Sequence, residues 1–72
     1  MSVLAPRLDE IVHARILART GRRVKELAVE LRGELVVLSG WAPSYHVKQL
    51  AQHGVQELLP AVALMNSIRV AA

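Results

Sequence analysis

The feature that most constrains this fold is a pair of apolar runs separated by a short polar break. The first run covers residues 27–31, the second covers residues 35–38, and Arg32, Gly33 and Glu34 lie between them. Two strand-like runs on either side of a glycine-containing break are typical of a β-hairpin. The sequence therefore predicts two antiparallel strands with a turn at residues 33 and 34.

Side chains alternate between the two faces of a strand, so the hairpin residues divide into two sets. The set predicted to face the core is Leu27, Val29, Leu31, Val36 and Leu38, and the set predicted to face away includes Leu35, Val37, Ser39 and Trp41. Because the second strand is apolar on both faces, we expect it to be central in its sheet or covered on its outer face. Gly40 is expected to let the chain bend out of the sheet.

Apolar residues at three- and four-residue spacing predict two helices. The first covers about residues 7–20, with acidic residues in its first turn, arginines toward its end and Gly21 as a left-handed cap. The second follows Ser44, a natural N-cap, and ends before Pro60. Gly54 is predicted on the inner face of this helix, where a missing side chain allows close approach of another element.

The last run, residues 61–70, alternates again, so the second strand, the second helix and this run form a βαβ unit with parallel strands. We therefore predict an α+β fold of order αββαβ. It has a three-stranded mixed sheet, with the second strand central and both helices packed on one face. The chain is predicted to be a single domain, residues 1–72, with its core at about residues 8–70.

These elements resemble a BON domain, a small bacterial αββαβ module. The matching residues are Val36, Val37, Leu38, Ser39 and Gly40, then Lys48 and Ala51, then Asn66, Ile68 and Val70. The resemblance covers about residues 8–70. It implies attachment to anionic phospholipid membranes or assembly into larger structures. It implies no enzyme activity, cofactor or catalytic residue.

Composition narrows the classes of function further. Hydrophobic residues make up 53% of the 72 positions, more than a small monomer readily buries, which favours contact between chains. There is no cysteine, and His46 and His53 are about 10 Å apart along one helix, with His13 on the other. That separation is too large for a shared metal ion. We therefore expect no catalytic residue, cofactor, metal or small-molecule substrate.

The predicted contact surface is the sheet face opposite the helices. Its residues are Leu35, Val37, Trp41 and Met65, and nothing else in the chain is left to cover them. Apolar patches of this kind mark interaction sites. We expect a homo-oligomer or filament that forms through this face or through the strand edges. A strand parity shifted by one residue would exchange the two faces and remove the patch.

A basic cluster provides an alternative. It consists of Arg15, Arg19, Arg22 and Arg23, which either form a solvated face or bind phosphates. An anionic lipid surface is the second candidate partner. Nucleic acid, in a KH-like role, ranks below it because no aromatic residues are interleaved with the charges.

Location is predicted from what the sequence lacks. Charges interrupt every apolar run before the roughly 20 residues of a membrane span, and the first residues lack a secretory-signal pattern. We expect a cytoplasmic location, or the envelope or periplasm if a signal was removed.

Overall fold

The computed structural model describes residues 7–71 and shows an α+β fold with the element order α1, β1, β2, α2, β3. The helices are α1 (Leu8–Thr20) and α2 (Tyr45–Leu58). The strands are β1 (Lys25–Arg32), β2 (Leu35–Ala42) and β3 (Ala63–Val70). The predicted fold class, element order and three-stranded mixed sheet are confirmed.

The sheet has the order β1-β2-β3, so β2 is central as predicted. β1 and β2 are antiparallel, with Leu31 opposite Val36, and β2 and β3 are parallel, with Leu38 opposite Asn66. Both helices pack on the same face of this sheet, because side chains of α1, α2 and the inner sheet face form one aliphatic core. Its buried members are Val12, Ile16, Val24, Val36, Leu38, Ala42, Val47, Ala51, Val55 and Ile68.

Helix α1 ends where the sequence predicts. Gly21 has φ 63°, and its N–H donates to the carbonyl of Leu17, which is a left-handed cap. The apolar stripe is buried only in its later part: Ile16 is fully buried, whereas Leu8 and Ile11 are 44% and 38% exposed. The first turn of α1 therefore lies at the margin of the core.

Helix α2 is held at its start by Ser44, whose Oγ accepts a hydrogen bond of 3.3 Å from the N–H of Val47. Gly54 is buried on the inner face of α2, as predicted. A Cβ at Gly54 would lie 3.2 Å from Cγ of Arg19 and 3.4 Å from Cγ of Arg15. The missing side chain therefore lets the two helices approach closely.

The prediction that Gly40 bends the chain out of the sheet is wrong. β2 continues through Gly40 to Ala42. Gly40 has φ 142° and faces an irregularity in β1, between Lys25 and Ala28, where Glu26 has φ 54°. A Cβ at Gly40 would lie 2.8 Å from the carbonyl oxygen of Lys25, so the glycine is needed for the close approach of β1.

Candidate interaction surface

The sheet face opposite the helices, here called the outer face, consists of four rows of side chains that run across the three strands. Each row is named for its position, for the size of its side chains or for its tryptophan. The rows are the tip row (Arg32, Leu35, Ala63), the ridge row (Glu30, Val37, Met65), the trough row (Ala28, Ser39, Ser67) and the tryptophan row (Lys25, Trp41, Arg69). Rows of directly opposite residues follow from the pairing of neighbouring strands. The outer face is therefore an ordered surface with a fixed register.

The structure brings the four predicted contact residues together on the outer face. Leu35, Val37 and Trp41 alternate along β2, and Met65 of β3 lies directly opposite Val37. Met65 is 52% exposed and Trp41 is 42% exposed, whereas Leu35 and Val37 are half-buried. No helix within residues 7–71 covers this face, since both helices pack on the other side.

The tryptophan row places the indole ring between two cationic residues. The guanidinium carbon of Arg69 lies 5.6 Å from the centre of the Trp41 ring, within the range of a cation–π interaction. Lys25 is the partner of Trp41 on the opposite strand. Spacing along the chain does not predict that these residues are neighbours, because their proximity depends on strand register.

The opposite end of the outer face carries a neutral charge pair. The Nε of Arg32 donates to Oε1 of Glu30, and this hydrogen bond and the carboxylate charge raise the pKa of Arg32 above its ordinary value. Both side chains are exposed, so the pair adds little to stability. The positive and negative charges of the pair cancel, so this end of the outer face has no net charge. The net positive charge of the outer face is therefore concentrated in the tryptophan row.

The two edges of the sheet are poorly suited to pairing with another strand. At the β1 edge, the irregularity between Lys25 and Ala28 interrupts the ladder, and charged residues flank it. Irregularities and charges at an edge are known to oppose strand addition. The edge route to assembly predicted from the sequence is therefore disfavoured at β1.

At the β3 edge, a side chain is already hydrogen-bonded to one of the backbone groups that point outward. The N–H of Ala63 donates to the carbonyl of Glu34, on the β2 side. Backbone N–H groups point to opposite sides at successive residues of a strand, so the N–H of Ile68 points to the free edge. Oδ1 of Asn66 accepts that N–H at 3.2 Å, while Nδ2 of Asn66 donates to the carbonyl of Lys48 in α2 at 3.1 Å. An incoming strand would have to displace Asn66.

The predicted arginine cluster is divided between internal contacts and solvent. Arg15 and Arg19 both contact Oε1 of Glu57 on α2, at 3.5 and 3.4 Å. Nε of Arg23 donates to the carbonyl of Thr20 at 2.8 Å. Arg22 is exposed, with φ 61°; its backbone N–H donates to the carbonyl of Leu17 at 2.9 Å, and its side chain makes no hydrogen bond or ion pair within residues 7–71. The charge of the first two arginines is therefore partly neutralised by Glu57.

An open groove between α1 and β1 was not predicted. It has a volume of about 290 Å³ and is lined by Asp9, Glu10, His13, Leu27, Ala28 and Val29. It lies where the first turn of α1 meets β1, whereas Leu31, which is 37% exposed, lines a second open pocket with Arg7 and Leu8. His46 and His53 lie on α2, away from this groove, and the described part of the chain contains no group of three metal-ligating side chains.

Comparisons of the chain with protein-family models, with curated proteins and with solved structures found no match. The element order is the one that the resemblance to a BON domain implies, but membership of that family stays a prediction. No helix in the described range is both long enough and apolar enough to cross a membrane.

Proposed function

We propose that this chain is a non-catalytic interaction module that self-associates into a homo-oligomer through the outer face. The observation that carries the proposal is the exposure of Met65 and Trp41, at 52% and 42%, on a face that no described helix covers. Large apolar side chains grouped on one surface of a small domain are characteristic of contact sites. Tryptophan and methionine are also enriched in interfaces over the rest of the surface.

The free energy available at Trp41 is considerable for a chain of this size. A tryptophan side chain has up to about 250 Å² of surface, so the 42% that is exposed corresponds to about 100 Å². Burying that area contributes about 2.5 kcal/mol. In a symmetric pair the contribution occurs twice, which makes Trp41 the residue expected to dominate the contact.

The face is favoured over the edges for a structural reason. Pairing through an edge would require regular, unoccupied backbone groups. β1 has an irregularity at its start, and on β3 the N–H of Ile68 already donates a hydrogen bond to the side chain of Asn66. Association through the face requires neither strand to change.

The test is the solution mass measured by light scattering after size exclusion, over a concentration series. The wild-type mass is expected to rise above 7.9 kDa with concentration, and Trp41→Glu is expected to remain monomeric. Tyr45→Glu is the matched control, because Tyr45 is 63% exposed and lies at the start of α2, away from the outer face. A wild-type mass of 7.9 kDa at all concentrations would refute the proposal.

Binding to an anionic phospholipid surface is the second candidate, and the tryptophan row favours it. Lys25 and Arg69 flank an exposed indole ring, and Arg22 lies nearby in the chain, just before β1. Basic residues beside a tryptophan suit a membrane interface. This group differs from the predicted cluster, since Arg15 and Arg19 are paired with Glu57.

Vesicle flotation tests this second candidate. Wild type should float with phosphatidylglycerol vesicles and not with phosphatidylcholine vesicles, and Lys25→Glu with Arg69→Glu, both in the tryptophan row, should abolish flotation. Arg7→Glu with Lys48→Glu is the control, because it makes the same change of charge outside the tryptophan row. Equal flotation of both double variants would contradict a role for the tryptophan row.

A further inference from the structure

We propose that two copies pack outer face against outer face, about a two-fold axis that runs across the strands and passes level with Leu38. This inference rests on the proposed self-association and specifies its geometry. Such an axis places the strands of the two copies in opposite directions. β2 then lies over β2 of the partner subunit, and each of the four rows faces a different row of the other copy.

The size of the side chains in each row supports this arrangement. The axis places the ridge row of each copy over the trough row of the other, on opposite sides of Leu38. The ridge row contains Val37 and the half-exposed Met65, whereas the trough row contains only alanine and serine. Large residues thus meet small ones twice, as the interdigitated packing of stacked sheets requires.

The central strand shows the same complementarity. Its outward residues are Leu35, Val37, Ser39 and Trp41. The axis places Trp41 over Leu35 of the partner subunit and Val37 over Ser39 of the partner subunit. Both indole rings are then buried against an aliphatic side chain at the two ends of the interface.

Charge is also compatible with this axis. The tryptophan row of one copy faces the tip row of the other, which brings Lys25 close to Arg32 of the partner subunit. Arg32 is already paired with Glu30 in its own chain, so Lys25 meets a neutral pair. Arg69 faces Ala63 of the partner subunit, where no like charge opposes it.

The other in-plane two-fold axis, parallel to the strands, gives a poor fit. It would place trough row over trough row, which leaves a gap between the two sheets. It would also bring Lys25 of each copy over Arg69 of the partner subunit, two like charges with no carboxylate in either row. Unfilled space and unpaired like charges both destabilise an interface.

The area of the outer face indicates how tightly two copies are expected to bind each other. Three strands of eight residues span about 26 Å by 14 Å, or about 370 Å² in projection. A stable interface of standard size buries about 800 Å² on each partner. The pair is therefore a weak, concentration-dependent dimer, and it must be studied at high protein concentration.

Cysteine crosslinking tests the geometry in a chain that has no cysteine of its own. Ala63→Cys and Arg69→Cys are mixed in equal amounts, one of them carrying an affinity tag, and treated with a short bismaleimide. The proposed axis brings these positions to about 10 Å from each other, the spacing of stacked sheets. Two copies of Leu35→Cys should not crosslink. The axis offsets position 35 of one copy from position 35 of the other by about six residues along the strand, or about 20 Å.

The expected result is a mixed Ala63→Cys/Arg69→Cys product that exceeds either self-crosslinked product several-fold, with little product from Leu35→Cys. Strong self-crosslinking of Leu35→Cys, or no excess of the mixed product, in samples that light scattering shows to be dimeric would overturn the axis and leave self-association standing. Monomeric wild-type protein at every concentration would overturn both. Gln56→Cys, on the exposed side of α2, reports random collision.

Discussion

Gly40→Ala should be among the most destabilising single-methyl additions in this chain. Gly40 lies inside β2 with φ 142°, a conformation that residues with a Cβ rarely adopt. The added methyl would be 2.8 Å from the carbonyl oxygen of Lys25 and 3.2 Å from that of Glu26. Both atoms belong to the backbone, so a side-chain rotation cannot relieve the overlap.

The magnitude follows from two contributions. A residue held in a disfavoured backbone region costs about 1–3 kcal/mol. Shifting β1 to relieve the overlap with Lys25 disturbs the β1–β2 ladder and costs about 1 kcal/mol more for each hydrogen bond lost. A chain of this length has a total stability of about 4–11 kcal/mol. We therefore expect a loss of at least about 2 kcal/mol and a Tm lower by at least about 8 °C.

Urea unfolding followed by the fluorescence of Trp41, the only tryptophan, measures the effect. Gly33→Ala is the matched control: Gly33 has φ 58°, but no heavy atom would lie within 4 Å of the added methyl. Its expected cost is about 1 kcal/mol. If Gly40→Ala unfolds at the same urea concentration as Gly33→Ala, the close approach of the β1 backbone does not require a glycine at position 40. Measurements belong at low protein concentration, since association adds apparent stability.

Changes at two further positions test packing and edge protection. Gly54→Ala should change stability by less than about 1 kcal/mol, because the gain in helix propensity opposes a 3.2 Å contact with the flexible stem of Arg19. Gly54→Leu should separate the helices and clearly lower the urea midpoint, and equal midpoints for the two variants would contradict close helix packing. Asn66→Ala removes the acceptor of the Ile68 N–H and should cost about 1 kcal/mol while increasing association on light scattering. An unchanged mass would show that Asn66 does not protect the edge.

The fold was predictable because its signals are local. The hairpin break, the cap at Gly21 and the N-cap at Ser44 each lie within a few residues of the element that they end or begin. The alternation of β2 also identified the outer-face residues, since the parity that places Val36 and Leu38 in the core places Val37 outside it. Period and capping determine element type and face without knowledge of the tertiary structure.

The remaining features depend on contacts between distant segments. Glu57 pairs with Arg15 and Arg19 only because α1 and α2 cross at Gly54. Thr20 is fully buried by the packing of the elements around it, and its hydroxyl is satisfied within α1 by donating to the carbonyl of Ile16 at 2.7 Å. These arrangements required the packed structure.

The irregularity in β1 connects Gly40 to the charge of the outer face. The regular part of the ladder pairs Ala28 with Ser39, and continuing that register would place Glu26 opposite Trp41. The shift between Lys25 and Ala28 instead places Lys25 there. One extra residue thus replaces an acidic neighbour of Trp41 with a basic one.

That shift is sterically possible only beside a glycine, because the β1 backbone at Lys25 and Glu26 occupies the space where a Cβ at position 40 would lie. Gly40 therefore fixes which side chains flank Trp41 as well as the geometry of the ladder. It follows that a variant at Gly40 that remains folded should weaken both flotation on anionic vesicles and self-association. A variant such as Gly33→Ala, at the hairpin turn, should change neither.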